Sequence, residues 1–117
     1  MVFAKLIVLT LLFGGEAVAI AAEMIAARSH GVPTDPFLRT FLRLLPLIVA
    51  GSILLLAGYM LGYRTFRNIW LVSALSITSI LIIEPLLAWT LFHQAPTKGA
   101  LLGLLFGAAG FASALFL

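Results

Sequence analysis

The chain has 117 residues, 63% of them hydrophobic and 9% charged, with a mean hydropathy of +1.22. This composition lies outside the range of soluble domains and predicts a single-domain integral membrane protein. The formal charge of +3 comes from seven Lys and Arg against four acids, too scattered to form a nucleic-acid patch, and the lack of cysteine excludes disulfides and thiol metal sites.

Residues 3–27 are apolar apart from Lys5, a threonine, two glycines and two glutamates, and about 20 residues suffice to cross the hydrocarbon. They are read as helix 1. The alternative is a signal peptide with Lys5 as its charged region and Ala17-Val18-Ala19 as its cleavage site, which fits less well because the segment stays apolar beyond that site. Glu16 and Glu23 are seven residues apart, so they return to nearly the same helix face about 10 Å apart along the axis. They can line one path but cannot share a proton. A charge near the bilayer centre costs about 2.5–3.5 kcal/mol on insertion scales, so acids there commonly face a bundle interior and serve transport.

Residues 28–40 gather two prolines, a glycine and most of the nearby polar side chains, which predicts the first loop, and helix 2 follows over about 41–62. Arg39 and Arg43 stand on one face at its start, with Pro46 expected in the first turns, where its missing N–H is tolerated. Residues 63–68 form a polar link, and helix 3 spans about 69–92 with Trp70 and Trp89 near its ends, as interfacial belts favour. The last link covers 93–98 and helix 4 fills 99–117. His30 and His93 each stand alone at a helix end, where interfacial anchoring is the expected role. The predicted fold is therefore all-α and integral to the membrane: four transmembrane helices in an antiparallel bundle, because each link is too short to cross back.

Two further features concern function. With helices 1 and 3 running the same way, Glu16 falls near the midplane, Glu84 about 5 Å beyond it and Glu23 about 11 Å beyond it, a ladder of acids from the centre to one surface. A carboxylate at that depth can trade a proton for a cationic substrate, so Glu16, Glu84 and Glu23 are the candidate substrate- and proton-binding residues. For Glu23 the structural alternative is an interfacial ion pair with Arg39 or Arg43. Glu84 precedes Pro85, which frees the carbonyl of residue 81, and Ser73 and Ser76 lie about 20° and 80° around the helix from it, so these hydroxyls can form a polar stripe with Glu84. Arg39 and Arg43 are the candidate partners of an anionic headgroup. Helix 4 carries Gly99, Gly103 and Gly107 at four-residue spacing with Gly110 beyond, a bare face that lets another helix approach closely, as a dimer contact or within the chain. No catalytic constellation, cofactor loop or metal-ligand cluster is seen, and no enzyme activity is expected.

The run Gly14-Gly15-Glu16-Ala17 in helix 1 resembles the small multidrug resistance proteins, four-helix members of the drug/metabolite transporter superfamily. Residues 84–97, Glu-Pro-Leu-Leu-Ala-Trp-Thr-Leu-Phe-His-Gln-Ala-Pro-Thr, followed by a Gly-rich helix, resemble the end of the EamA-like repeat unit in larger members. The resemblance implies a secondary transporter in the inner membrane, Glu16 as a shared proton and substrate site, and helix 4 as the contact of a homodimer or heteromer. The multidrug proteins carry a tyrosine and glycines in helix 3 that residues 68–76 lack, and the chain also resembles four-helix subunits that flip lipid-linked sugars. Two substrate classes follow, an amphipathic cation or a lipid-linked sugar phosphate. A non-transporting membrane subunit of a larger complex is the alternative function.

Overall fold

The computed structural model describes residues 2–31 and 36–117, and all regular structure among them is helical. The helices are α1 (Val2–His30), α2 (Phe37–Phe66), α3 (Ile69–Phe92) and α4 (Lys98–Phe116). All four are long and apolar enough to cross a membrane, the pattern of a multi-pass membrane protein. At 1.5 Å per residue α1 and α2 reach about 43–45 Å, more than the hydrocarbon needs, so their ends extend into the interfaces or the helices tilt.

The spans of helices 3 and 4 match expectation to within a residue, whereas α1 and α2 run longer than predicted. Helix α2 begins at Phe37, after Pro36 in extended conformation (φ −66°, ψ 139°). Arg39 is therefore helical, as Arg43 was expected to be, and Pro46 is an interior residue rather than one of the first turns. A proline so placed leaves one carbonyl without its helical partner, a defect that membrane helices accommodate. Residues 32–35 of the expected first loop lie outside the described residues. The expected link 63–68 shrinks to Arg67 and Asn68, because Tyr63-Arg64-Thr65-Phe66 continue the helix.

The turn there is built by two adjacent residues. Arg67 takes the left-handed conformation (φ 56°) and its N–H donates to the Tyr63 carbonyl at 2.8 Å, ending α2. Asn68 Oδ1 then accepts the backbone N–H groups of Trp70 and Leu71 at 3.0 and 3.3 Å, opening α3. The same pattern recurs at the other end of α3: His93 (φ 55°) closes it with a bond to the Trp89 carbonyl, and Thr97 Oγ1 caps α4 through Ala100 N–H at 3.1 Å.

Packing centres on α1. Val8, Leu12 and Val72 are fully buried and are flanked by Leu55, Tyr59, Phe66 and Leu75. Three buried glycines on α2 allow this closeness: Gly62 lies against Val8 and Val72, Gly58 against Leu12, and Gly51 against Ala19 and the Gly15 carbonyl. Residue numbers thus fall along α2 as they rise along the facing side of α1. Between α1 and α3 they rise together, from Val8 beside Val72 to Arg28, whose Nη1 donates to the Leu91 carbonyl at 3.1 Å. Among the described residues helix α4 touches only α3, and none of its own residues is buried.

Candidate functional site

Glu16 is the middle residue of α1, with fourteen residues on either side. Its side chain is 9% exposed, and Oε1 accepts a hydrogen bond from Ser76 Oγ of α3 at 2.9 Å. Ser76 itself is 3% exposed. The site is set by backbone closeness: Gly15, beside Glu16, lies so near α2 that an added β-carbon would stand 3.0 Å from the Leu55 nitrogen and 3.1 Å from the Gly51 oxygen. Small side chains hold α1 and α2 together, and α3 supplies the hydroxyl. A β-carbon at Gly14 meets no heavy atom within 4 Å, but two helical residues put Gly14 about 200° around α1 from Glu16, so this open space lies on the side of the helix away from the acid. The serine that completes the pair was expected beside Glu84 and not beside Glu16. Its neighbours Thr78 and Ser79 donate to backbone carbonyls of their own helix, at 2.7 and 2.9 Å, as hydroxyls on apolar helices commonly do. Ser76 is singled out because it faces α1.

Glu23 and Glu84 lie within electrostatic reach of Glu16 but form no hydrogen bond with it. Glu84 lies on α3 and, with Trp89, Phe92, Gln94, Thr97 and Gly103, lines a cleft of about 660 Å³ between α3, the last link and α4. Glu84 is exposed and has no hydrogen bond or ion pair among the described residues. Glu23 is also exposed. The alternative pairing of Glu23 with Arg39 or Arg43 is absent: Arg43 Nη2 donates to Ser29 Oγ at 3.1 Å, and neither arginine forms an ion pair among the described residues. Arg28, Arg39, Arg43 and His30 instead gather where α1 ends and α2 begins, with the His30 ring edge-on to Phe37 at 5.4 Å. Arg28 also places a cation at the carbonyl end of α3, where the helix dipole favours one.

The glycines of α4 divide. Gly107 lies against Leu81 of α3, Gly103 lines the cleft, and Gly99 and Gly110 face open space. The seam that reasoning from sequence missed is on α2, where Gly51, Gly58 and Gly62 repeat at seven and four residues, a spacing that keeps them on one helical face. Compared with known proteins, the chain matches no family model, no curated protein and no solved structure, so the likeness to drug/metabolite transporters rests on the quoted residues alone.

Proposed function

We propose that the chain is a small secondary transporter of the drug/metabolite type, an antiparallel four-helix bundle in the inner membrane that exchanges protons for an amphipathic cation at Glu16. The opposed numbering along α1 and α2 supports the bundle. The observation that carries the function is the buried Glu16–Ser76 pair at the centre of α1. A full negative charge at that depth, with one hydroxyl as its partner, is costly, and either a proton or a bound cation neutralises it. Mutually exclusive occupancy by the two is the elementary step of exchange. The partner that completes the cavity is a second copy of the chain, joined through α4, which has no fully buried residue.

The test is flux of benzyltrimethylammonium into proteoliposomes driven by a pH gradient. Wild-type protein transports it and Glu16→Gln, still folded, does not. Equal flux by the two proteins across a pH series refutes the role of Glu16, and no flux by the wild type favours the reading of a non-transporting subunit. A second reading, a lipid-linked sugar phosphate as substrate, draws on the basic cluster of Arg28, Arg39 and Arg43 at one end of the helices. The same liposomes separate the readings: movement of a polyprenyl phosphate sugar without movement of the cation selects the second.

A further inference from the structure

We infer that the cleft between α3 and α4 is a separate binding site for an amphipathic amine, with Glu84 as the counter-ion of its head and Trp89 and Phe92 as the bed of its apolar part. The inference goes beyond the transport reading and needs only the membrane placement of the four helices. None of the residues lining the cleft belongs to α1 or α2, so it is distinct from the Glu16–Ser76 seam.

Three observations converge on this ligand. The first is size: about 660 Å³ falls within the range of small-molecule sites, and an open apolar cleft with a single fixed charge orients an amphipathic guest. The second is charge. Glu84 is the one ionisable group lining the cleft, it has no ion pair or hydrogen bond among the described residues, and Lys98, the basic residue of α4, is not part of the lining. The third is depth. Glu84 is about three to four residues past the middle of α3, which puts it roughly 5 Å from the centre of that span. A lipid-facing carboxylate there requires a partner, and the described residues supply none. A cation brings the missing charge, and Trp89 and Phe92, which line the same cleft farther along α3, receive the apolar part. An anionic or neutral guest does not bring that charge.

The chain carries its own reporter. Trp70 and Trp89 are its two tryptophans, and Trp70 stands at the opposite end of α3, so Trp70→Phe leaves Trp89 in the cleft as the sole emitter. The full chain with this change is placed in phosphatidylcholine nanodiscs and titrated with a dodecyl dimethylammonium probe that carries a nitroxide quencher, and in parallel with a neutral dodecyl nitroxide. The expected result is saturable quenching by the cationic probe, with a half-saturating concentration raised at least tenfold by Glu84→Gln and at least tenfold by Gly103→Leu. The leucine fills the cleft from the α4 side, where a β-carbon meets no heavy atom within 4 Å, so the helix itself is not strained. Glu16→Gln leaves the half-saturating concentration within twofold. A Glu84→Gln protein that binds within twofold of its parent overturns the proposal, as does equal quenching by the neutral probe, a loss on Glu16→Gln as large as that on Glu84→Gln, or absence of saturable quenching altogether. Failure of cation flux in liposomes with this binding intact removes the transport reading and leaves the cleft standing.

Discussion

Alanine at Gly15 and alanine at Gly14 should shift stability in opposite directions, although the two positions are adjacent. A β-carbon at Gly15 would lie 2.8 Å from Leu55 Cγ, 3.0 Å from the Leu55 nitrogen and 3.1 Å from the Gly51 oxygen. Non-bonded carbons settle at about 3.5–4.0 Å, so α1 has to withdraw from α2 by roughly half an ångström. The leucine side chain can swing aside, but the two backbone atoms cannot. Overpacking of this kind costs about 1–3 kcal/mol, against which alanine gains about 0.5–1 kcal/mol over glycine in a helix interior. The net for Gly15→Ala runs from about zero to a loss of about 2.5 kcal/mol, centred on a loss of about 1 kcal/mol. At Gly14 no atom stands in the way, so only the propensity gain of about 0.5–1 kcal/mol remains. Reversible unfolding in mixed micelles with rising sodium dodecyl sulfate, followed by far-ultraviolet circular dichroism, measures both. Equal stability of the two variants refutes backbone contact between α1 and α2 at this level.

Ser76→Ala removes the hydrogen-bond partner of Glu16, and the same unfolding assay should show a loss of about 0.5–1.5 kcal/mol that Ser76→Thr largely restores, in line with hydrogen bonds between membrane helices. Arg67→Gly relieves a left-handed conformation that a β-carbon opposes (φ 56°), so it should stabilise the chain by about 1 kcal/mol, and a destabilised variant would show that the arginine side chain contributes more than its backbone costs.

The number of helices and their central spans were legible because apolar length is a property of the chain taken one residue at a time. Their ends were not. Arg39 and Arg64 look like loop residues in a hydropathy reading, yet long basic side chains can lay their stems along a helix and carry the charge to the interface, so the helical backbone continues through them. The position of Glu16 was legible from its depth, whereas its partner was not, because α3 is apolar on all sides and its rotation is set by what it packs against. Seen from Glu84 alone, Ser76 fits a stripe on the same helix; the contact with α1 decides otherwise. The glycines show the same limit. Both α2 and α4 present small residues on one face, and only the neighbouring helices determine that Gly51 and Gly58 meet α1 while Gly99 and Gly110 meet nothing among the described residues.

Orientation in the membrane depends on a narrow difference of charge. Lys5, Arg64 and Arg67 belong to one end of the bundle, and Arg28, Arg39, Arg43 and Lys98 belong to the other, a division that the contact of Arg28 with the Leu91 carbonyl supports by joining the end of α1 to the end of α3. The positive-inside bias counts Lys and Arg near helix ends and largely ignores acids, so three against four is a weak instruction. The expected outcome is insertion in both directions. Two copies of opposite orientation then form an inverted pair with a Glu16 on each side of a shared cavity, the symmetry that larger transporters build from internal repeats. The absence of native cysteine makes the measurement direct: Val2→Cys reports one end and Ala95→Cys the other, each exposed and each labelled in intact cells with an impermeant thiol reagent. Comparable labelling at both sites supports dual insertion. In that background Arg67→Gly widens the difference to two against four and should lower labelling at Ala95→Cys, the end then held inside. Protection of one site in essentially every molecule, unchanged by Arg67→Gly, rules out the inverted pair and leaves a single orientation with a parallel or heteromeric assembly.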